Sequence, residues 1–388
     1  METFNYTYPI RVHFGKGTAD KVLKEELKRY GTRVMLAYGG GSIKRTGLYD
    51  HLKQLLKEAG KEVIDFGGIM SNPTYAKVQE GARIARENRV DLILAVGGGS
   101  VSDCCKVVSA QALIDEDLWT LEYDKKQQPT KFLPMGVVVT AGGTGSEENN
   151  GAVITHEEKK IKGALWGALA DFVVLDSDLT LTVPMKQVIS GAFDTLSHCM
   201  ETYFGGPHGD QVNVIDEMNE SVQRNIIRNI RALIKNPNDD YARGELLWDA
   251  AIAENGMLKI GKVTDFQCHM IEHQLGAYTN CNHGAGLAVI HPVVYRHIYK
   301  SALPQFARFA REVWGISADG KSEVELAKEG VEALADFIRE IGMPTRLDDI
   351  ASVNDDLLQA VADSAIITPG CCKQLSRNEI FDILKECE

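Results

Sequence analysis

A chain of 388 residues with 44% hydrophobic and 25% charged residues is long enough for two domains and carries ample material for a large core. Its formal net charge of -12, without any basic run, argues against a nucleic-acid or anionic-membrane partner, because neutralising phosphates takes clustered Lys and Arg. The amino-terminal residues hold no apolar export segment, nowhere do about 18 apolar residues run uninterrupted, and the cysteines form no C-x-x-C pair, so a cytoplasmic protein with reduced thiols is expected.

In chain order, the first half alternates short β-branched apolar runs with amphipathic stretches, the pattern of a parallel sheet flanked by helices. Strands are expected over 10–14, 33–38, 62–66, 91–96, 136–140 and 172–176, with helices over 18–30, 48–59, 75–88 and 101–112. After Val183-Pro184 period-two alternation all but disappears and helical periodicity takes over, at 187–203, 211–234, 241–257, 265–276, 288–299, 323–341 and 378–385. The boundary placed there separates an α/β domain over 1–182 from an all-helical domain over 183–388.

Two of the expected strands end in the same four residues, Gly39-Gly40-Gly41-Ser42 and Gly97-Gly98-Gly99-Ser100, and a third feeds the glycine-rich run from Ala141 to Ser146. Glycines that end a strand and open a helix leave backbone N–H groups and a positive helix end bare, which is an anion cradle. At the carboxyl ends of parallel strands such cradles hold nucleotides, although the spacing here is not G-x-G-x-x-G. Asp103 reads either as a first-turn helix residue or as a hydrogen-bond partner for a polar ligand group above the loop.

The second constellation runs from Asp194 to His283. Asp194 and His198 are four apart and share a helix face, His269 and His273 repeat that spacing, and His283 follows on an expected loop before Gly284. A carboxylate with three imidazoles suits a divalent transition metal such as iron or zinc, and here five candidates compete for four places. Cys268 and Cys281 lie beside these histidines, where a thiolate competes for a soft metal. His13, His51, His156, His208 and His297 stand apart from such pairs, and His291, before Pro292, reads as a helix-start residue.

Along its whole length the chain resembles the iron-containing, or group III, alcohol dehydrogenases, and more closely their butanol dehydrogenase and NADPH-dependent aldehyde reductase branch. The resemblance rests on F-G-K-G from Phe14, Y-G-G-G-S-I-K from Tyr38, Asn72-Pro73, G-G-G-S-V-x-D ending at Asp103, T-G-S-E from Thr144, V-L-D ending at Asp176, and the metal-candidate segments. It implies a Rossmann-like parallel-sheet domain followed by a helical metal-binding domain, the dehydroquinate synthase-like architecture. It implies metal ligands Asp194, His198, His269 and His283, Fe2+ or Zn2+ as the metal, and His273 close to the nicotinamide. It implies cofactor contacts from Gly97, Gly98, Gly99, Ser100, Asp103, Asn72, Thr140, Thr144, Asn149 and Lys160, with Lys162 an adjacent alternative to Lys160.

The activity so implied is hydride transfer between a nicotinamide cofactor and a short-chain alcohol or aldehyde such as butanol or butanal, with a small-molecule partner and a homodimeric assembly. NADP(H) is expected over NAD(H), because NAD-preferring relatives are expected to carry an Asp at the position of Gly39, whereas here Gly39 to Ser42 offer backbone donors with Lys44 and Arg45 nearby. Two rivals belong to other classes. A polyol dehydrogenase or dehydroquinate-synthase-like lyase would use the same two constellations, and an inverted zinc peptidase would use H-x-x-E-H, with Glu272 as base.

Overall fold

The computed structural model describes residues 3–206 and 212–388, so His208, and Gln211 at the expected start of one helix, lie outside the described residues. The chain divides into two compact units, Tyr8–Pro184 and Met185–Glu388, and residues 3–7 go with the second.

The first unit contains β1 (Arg11–Phe14), α1 (Ala19–Glu26), β2 (Arg33–Tyr38), α2 (Ser42–Arg45), α3 (Leu48–Glu58), β3 (Glu62–Phe66), α4 (Tyr75–Glu87), β4 (Leu92–Gly97), α5 (Gly99–Gln111), β5 (Met135–Val139), β6 (Gly151–His156), β7 (Ile161–Trp166) and β8 (Phe172–Leu175). Six strands form one sheet in the order β1-β8-β5-β4-β2-β3, and every pairing in it is parallel. β4 and β5 are buried along their full length, which explains why they read as continuous apolar runs and not as alternating ones. From β2 the chain moves outward to β3, then returns across β2 to β4. The topological switch point therefore falls between β2 and β4, the two strands that carry Gly-Gly-Gly-Ser at their carboxyl ends.

The antiparallel hairpin of β6 and β7 is absent from the sequence reading. β6 opens on Gly151 and β7 is interrupted by Gly163, and much of their hold is tertiary. The His156 ring lies 4.7 Å from Trp119 and 5.5 Å from Tyr75, and Glu122 accepts the Trp166 N–H at 2.8 Å.

The second unit is helical: α6 (Met185–Tyr203), α7 (Val214–Lys235), α8 (Asp240–Glu254), α9 (Gln267–Thr279), α10 (His283–Ile298), α11 (Leu303–Glu312), α12 (Glu323–Glu340), α13 (Asp355–Ser364) and α14 (Arg377–Glu386). Its core gathers Phe193, Leu196, Phe204, Tyr295, Phe306 and Phe337, with Phe204 and Phe306 stacked at 3.9 Å. Side-chain caps set several starts. Asn213 accepts from Ile215 and Asp216 to begin α7, and Ser322 with Glu325 and Ser376 with Glu379 form capping boxes on α12 and α14. α11 and α13 were not foreseen. Two placements also differ from expectation: His283 is the first residue of α10, capped by Asn282, and His291 lies inside that helix. The helix continues through Pro292, so the proline did not mark a start. No helix among the described residues is long and apolar enough to cross a membrane.

Candidate functional site

In the α/β unit the three glycine loops follow β2, β4 and β5, adjacent strands in the sheet. α5 begins with Gly98 as its N-cap and no side chain capping it, which leaves the positive end of a 13-residue helix facing outward from the β4 loop. Gly41 takes φ 100°, a left-handed conformation that a side chain would strain. Gly99 meets the third loop so closely that an added Cβ would lie 2.2 Å from Thr144 Oγ1. The Thr140 N–H donates to Gly97 O at 2.9 Å, so Thr140 and Thr144 are held against the second glycine loop. Asn72, left-handed at φ 52°, stands in the loop after β3, where Pro73 O accepts the Thr155 N–H of the hairpin at 2.9 Å.

Asp103 and Asn149 make contacts within the unit, and Lys160 lies at its surface. Asp103 accepts from the Ser146 hydroxyl and, at 3.0 Å, from the Val153 N–H, with Lys106 Nζ at 3.7 Å. Asn149 Oδ1 accepts from Lys106 Nζ at 3.2 Å and from the Gly151 N–H at 3.0 Å. Lys160 sits exposed in the hairpin turn at φ 54°, whereas Lys162, two residues on, is buried. Lys106, a fully buried lysine that ties α5 to β6, was missed by the sequence reading, where it passes for an ordinary surface position of a helix.

In the helical unit, three of the five metal candidates converge on one atom of a fourth. Asp194 Oδ1 on α6 lies 3.7 Å from His198 Nε2, 3.4 Å from His269 Nε2 on α9 and 3.3 Å from His283 Nε2 at the start of α10. The His198 and His269 rings stack at 4.6 Å. His273 stands one turn beyond His269, its ring 5.9 Å from that of His269 and 5.5 Å from that of His283. The segment leading into α9 is tightly packed: a Cβ on Gly370 would lie 2.2 Å from Thr264 O, and one on Gly205 would lie 2.5 Å from Val263 O.

The electrostatics favour a cation at that convergence. Burial disfavours the Asp194 charge, yet His198, His283 and His269 outweigh it and hold the carboxyl well below its usual range. Burial likewise disfavours protonated His269, but Glu201 and Asp194 reverse that and push its pKa up to about 10. His283 is raised for the same reason, burial being outweighed by Glu272 and Asp194. Burial lowers His198. Without an ion the cluster therefore draws in a proton to meet its negative charge. Asp194 Oδ1 and His269 Nε2 are buried without a hydrogen-bond partner although they face each other. Three imidazole nitrogens around one carboxylate oxygen, with that oxygen and His269 Nε2 unsatisfied by the protein itself, fit a divalent ion.

Two buried carboxylates complete the geometry. Glu201 contacts His269 Nδ1, and Glu272 contacts His283 Nδ1. The sequence reading passed over Glu201, although its place three residues after His198 puts it on the same face of α6. Glu272 entered only as a peptidase base. Its engagement with His283, deep in the unit, leaves it ill placed for that task. Burial pushes the Cys268 thiol well up, and Cys281 Sγ faces Glu272 Oε1 at 3.9 Å. Neither belongs to a group of side chains with metal-ligand spacing among the described residues.

Residues 9–177 match the family described as iron-containing alcohol dehydrogenase, and residues 188–387 match the C-terminal part of the Fe-containing alcohol dehydrogenase family. The chain is 39% identical to a probable NADH-dependent butanol dehydrogenase of Bacillus subtilis, over 99% of each. It is 36% identical to NADH-dependent butanol dehydrogenase A of Clostridium acetobutylicum, over 100% of each. It is 33% identical to the NADPH-dependent aldehyde reductase of Escherichia coli, over 90% of this chain and 89% of the relative. The crystal structure of NADH-dependent butanol dehydrogenase A from Thermotoga maritima superposes with a TM-score of 0.92 at 34% identity, covering 100% of this chain and 99% of that one. The chain belongs to the iron-containing alcohol dehydrogenase family.

Proposed function

We propose that this protein interconverts short-chain alcohols and aldehydes, butanol and butanal among them, using a divalent metal held by Asp194, His198, His269 and His283 and a nicotinamide cofactor held by the glycine loops. The observation that carries the reading is the buried, unsatisfied Asp194 oxygen with three imidazole nitrogens within 3.7 Å. When bound, Fe2+ or Zn2+ supplies Lewis acidity at the substrate oxygen, and the nicotinamide supplies or takes the hydride. The chain's own part is to hold neutral imidazoles and one carboxylate in place, to keep water from the buried cluster, and to move the alcohol proton. His273 is the residue for that last task, since a relay needs only to reach the oxygen directly or through one water, and it stands one turn from a ligand.

For the cofactor, NADP(H) is the favoured form. The β2 loop carries no carboxylate to repel a 2'-phosphate. The nearby Asp65 is occupied by the Tyr49 hydroxyl at 2.8 Å and Lys53 at 3.8 Å. Lys44 stands over the rings of Tyr38 and Tyr49, at 4.9 and 4.7 Å. The relatives divide on this point by name, and the reading rests on these residues.

Three measurements test the proposal. Butanal-dependent oxidation of NADPH should be lost on chelation and return with Fe2+ or Zn2+, and kcat/KM should be higher with NADPH than with NADH. A wild-type preference for NADH removes the cofactor reading. His269→Ala and His283→Ala should lose bound metal, while His273→Ala keeps it and turns over slowly; a metal-free His273→Ala beside a fully loaded His269→Ala inverts the assignment.

A further inference from the structure

We infer that Glu201 and Glu272 are positioning residues that build the metal site before any ion arrives, each fixing the tautomer and angle of one ligand ring supplied by a different helix. The inference rests on the metal reading above. It adds two residues that lie outside the ligand set.

Both carboxylates are almost wholly buried, Glu201 at 1% and Glu272 at 0% exposure, and burying a carboxylate is costly unless its oxygens are engaged. Glu201 projects from α6 and works with both oxygens. One accepts the Cys268 N–H at 2.6 Å and the His269 N–H at 3.3 Å, and the other meets His269 Nδ1. Phe266, the N-cap of α9, makes no side-chain cap of its own, so Glu201 caps α9 from a neighbouring helix while it grips the ligand ring. Glu272, on α9, meets His283 Nδ1 at the head of α10. Room for it is left by Gly286, where an added Cβ would lie 2.8 Å from Glu272 Cγ. With a carboxylate accepting from Nδ1–H, one proton is fixed there, so the nitrogen that gives up its proton to an incoming ion is Nε2, the one that faces Asp194.

The third imidazole shows why two clamps suffice. His198 Nδ1 has no hydrogen-bond partner, but His198 shares α6 with Asp194 at i, i+4, so the helix itself sets their spacing. His269 and His283 come from other helices, where small shifts between helices would spread the ligands. Those are the two rings held by carboxylates. Metal histidines elsewhere use such partners to gain affinity, and losing one costs about 10–100-fold in metal binding.

The test uses the full-length metal-free protein, titrated with Co2+ while its visible spectrum is recorded, for wild type, Glu201→Gln, Glu272→Gln and His269→Ala. Melting temperatures are measured without metal. Each Gln variant is expected to bind Co2+ about 10–100-fold more weakly than wild type, with displaced d–d bands. Wild-type affinity and an unchanged spectrum in both Gln variants overturn the inference, even where Glu201→Gln lowers the metal-free melting temperature, because that is the signature of a cap alone. If Glu201→Gln fails to fold, Glu272→Gln decides the matter. His269→Ala binding Co2+ as wild type does would instead overturn the metal reading itself, so the two failures are distinct.

Discussion

The two units prepare their candidate sites by opposite means. In Tyr8–Pro184 the site is a lack of side chains: glycines at the carboxyl ends of β2 and β4, an uncapped helix start at α5, and loops in van der Waals contact with one another. In Met185–Glu388 it is a concentration of ionisable side chains brought below the surface and held by one another. A surface made of backbone is indifferent to charge substitution but intolerant of added volume, whereas a buried cluster of charges is the reverse. The contrast can be broken from either side.

The largest effect is expected from Asp194→Asn, which keeps the shape of the side chain and removes its charge. The oxygen that faces all three imidazoles then carries no net charge, and a buried site that loses one partner of its charge set is penalised by several kcal/mol. Metal affinity should fall at least 100-fold, as about 3 kcal/mol or more corresponds to, and bound metal after purification and turnover should fall with it. Retention of a full equivalent of metal would show that the carboxylate is not central. Gly99→Ala is the opposite probe. It adds one methyl where Thr144 Oγ1 would be 2.2 Å away, and overpacking of this kind costs about 1–3 kcal/mol. KM for the nicotinamide should rise about tenfold or more, while metal content stays that of wild type. A loss of metal in Gly99→Ala would mean that the two sites are not prepared independently.

The same contrast explains what could be read from the sequence. Glycines after strands and histidines four apart are local patterns, so the switch-point loops, Asp194, His198, His269, His273 and His283 were all visible before any fold was known. The parts that were not visible are set by contacts distant in the chain. Glu201 acts on a ring 68 residues away, Lys106 on a backbone carbonyl 45 residues away, and β6 with β7 on rings from Tyr75 and Trp119. From the sequence His283 reads as a loop residue, ahead of the helix expected from residue 288. The cap from Asn282 to Ala285 places it on α10 instead.

The remaining effect concerns stability, and it sets one group of each unit against the other by the sign of its response to pH. In the α/β unit, burial pushes the Glu122 carboxyl up to about 7 against an ordinary 4.5. Between those values the unfolded chain gives up a proton that the folded one keeps, so Glu122 makes the protein less stable as pH rises. In the helical unit, burial pushes His291 down to about 4 from 6.5. Its ring contacts Ser197 between α6 and α10, beside Tyr295 and Phe193. Between pH 6.5 and 4 the unfolded chain takes up a proton that the folded ring refuses, so His291 makes the protein less stable as pH falls, by about 3 kcal/mol across the whole window. His198, His269 and His283 titrate too, and for that reason the informative quantity is the difference between wild type and His291→Gln, both with chelator present. Below pH 6.5 the melting temperature of wild type should fall more steeply than that of His291→Gln, and the two curves should run parallel above it. Parallel curves throughout would show that His291 is solvated or already protonated in the fold, and the buried contact between α6 and α10 would then have to be redrawn.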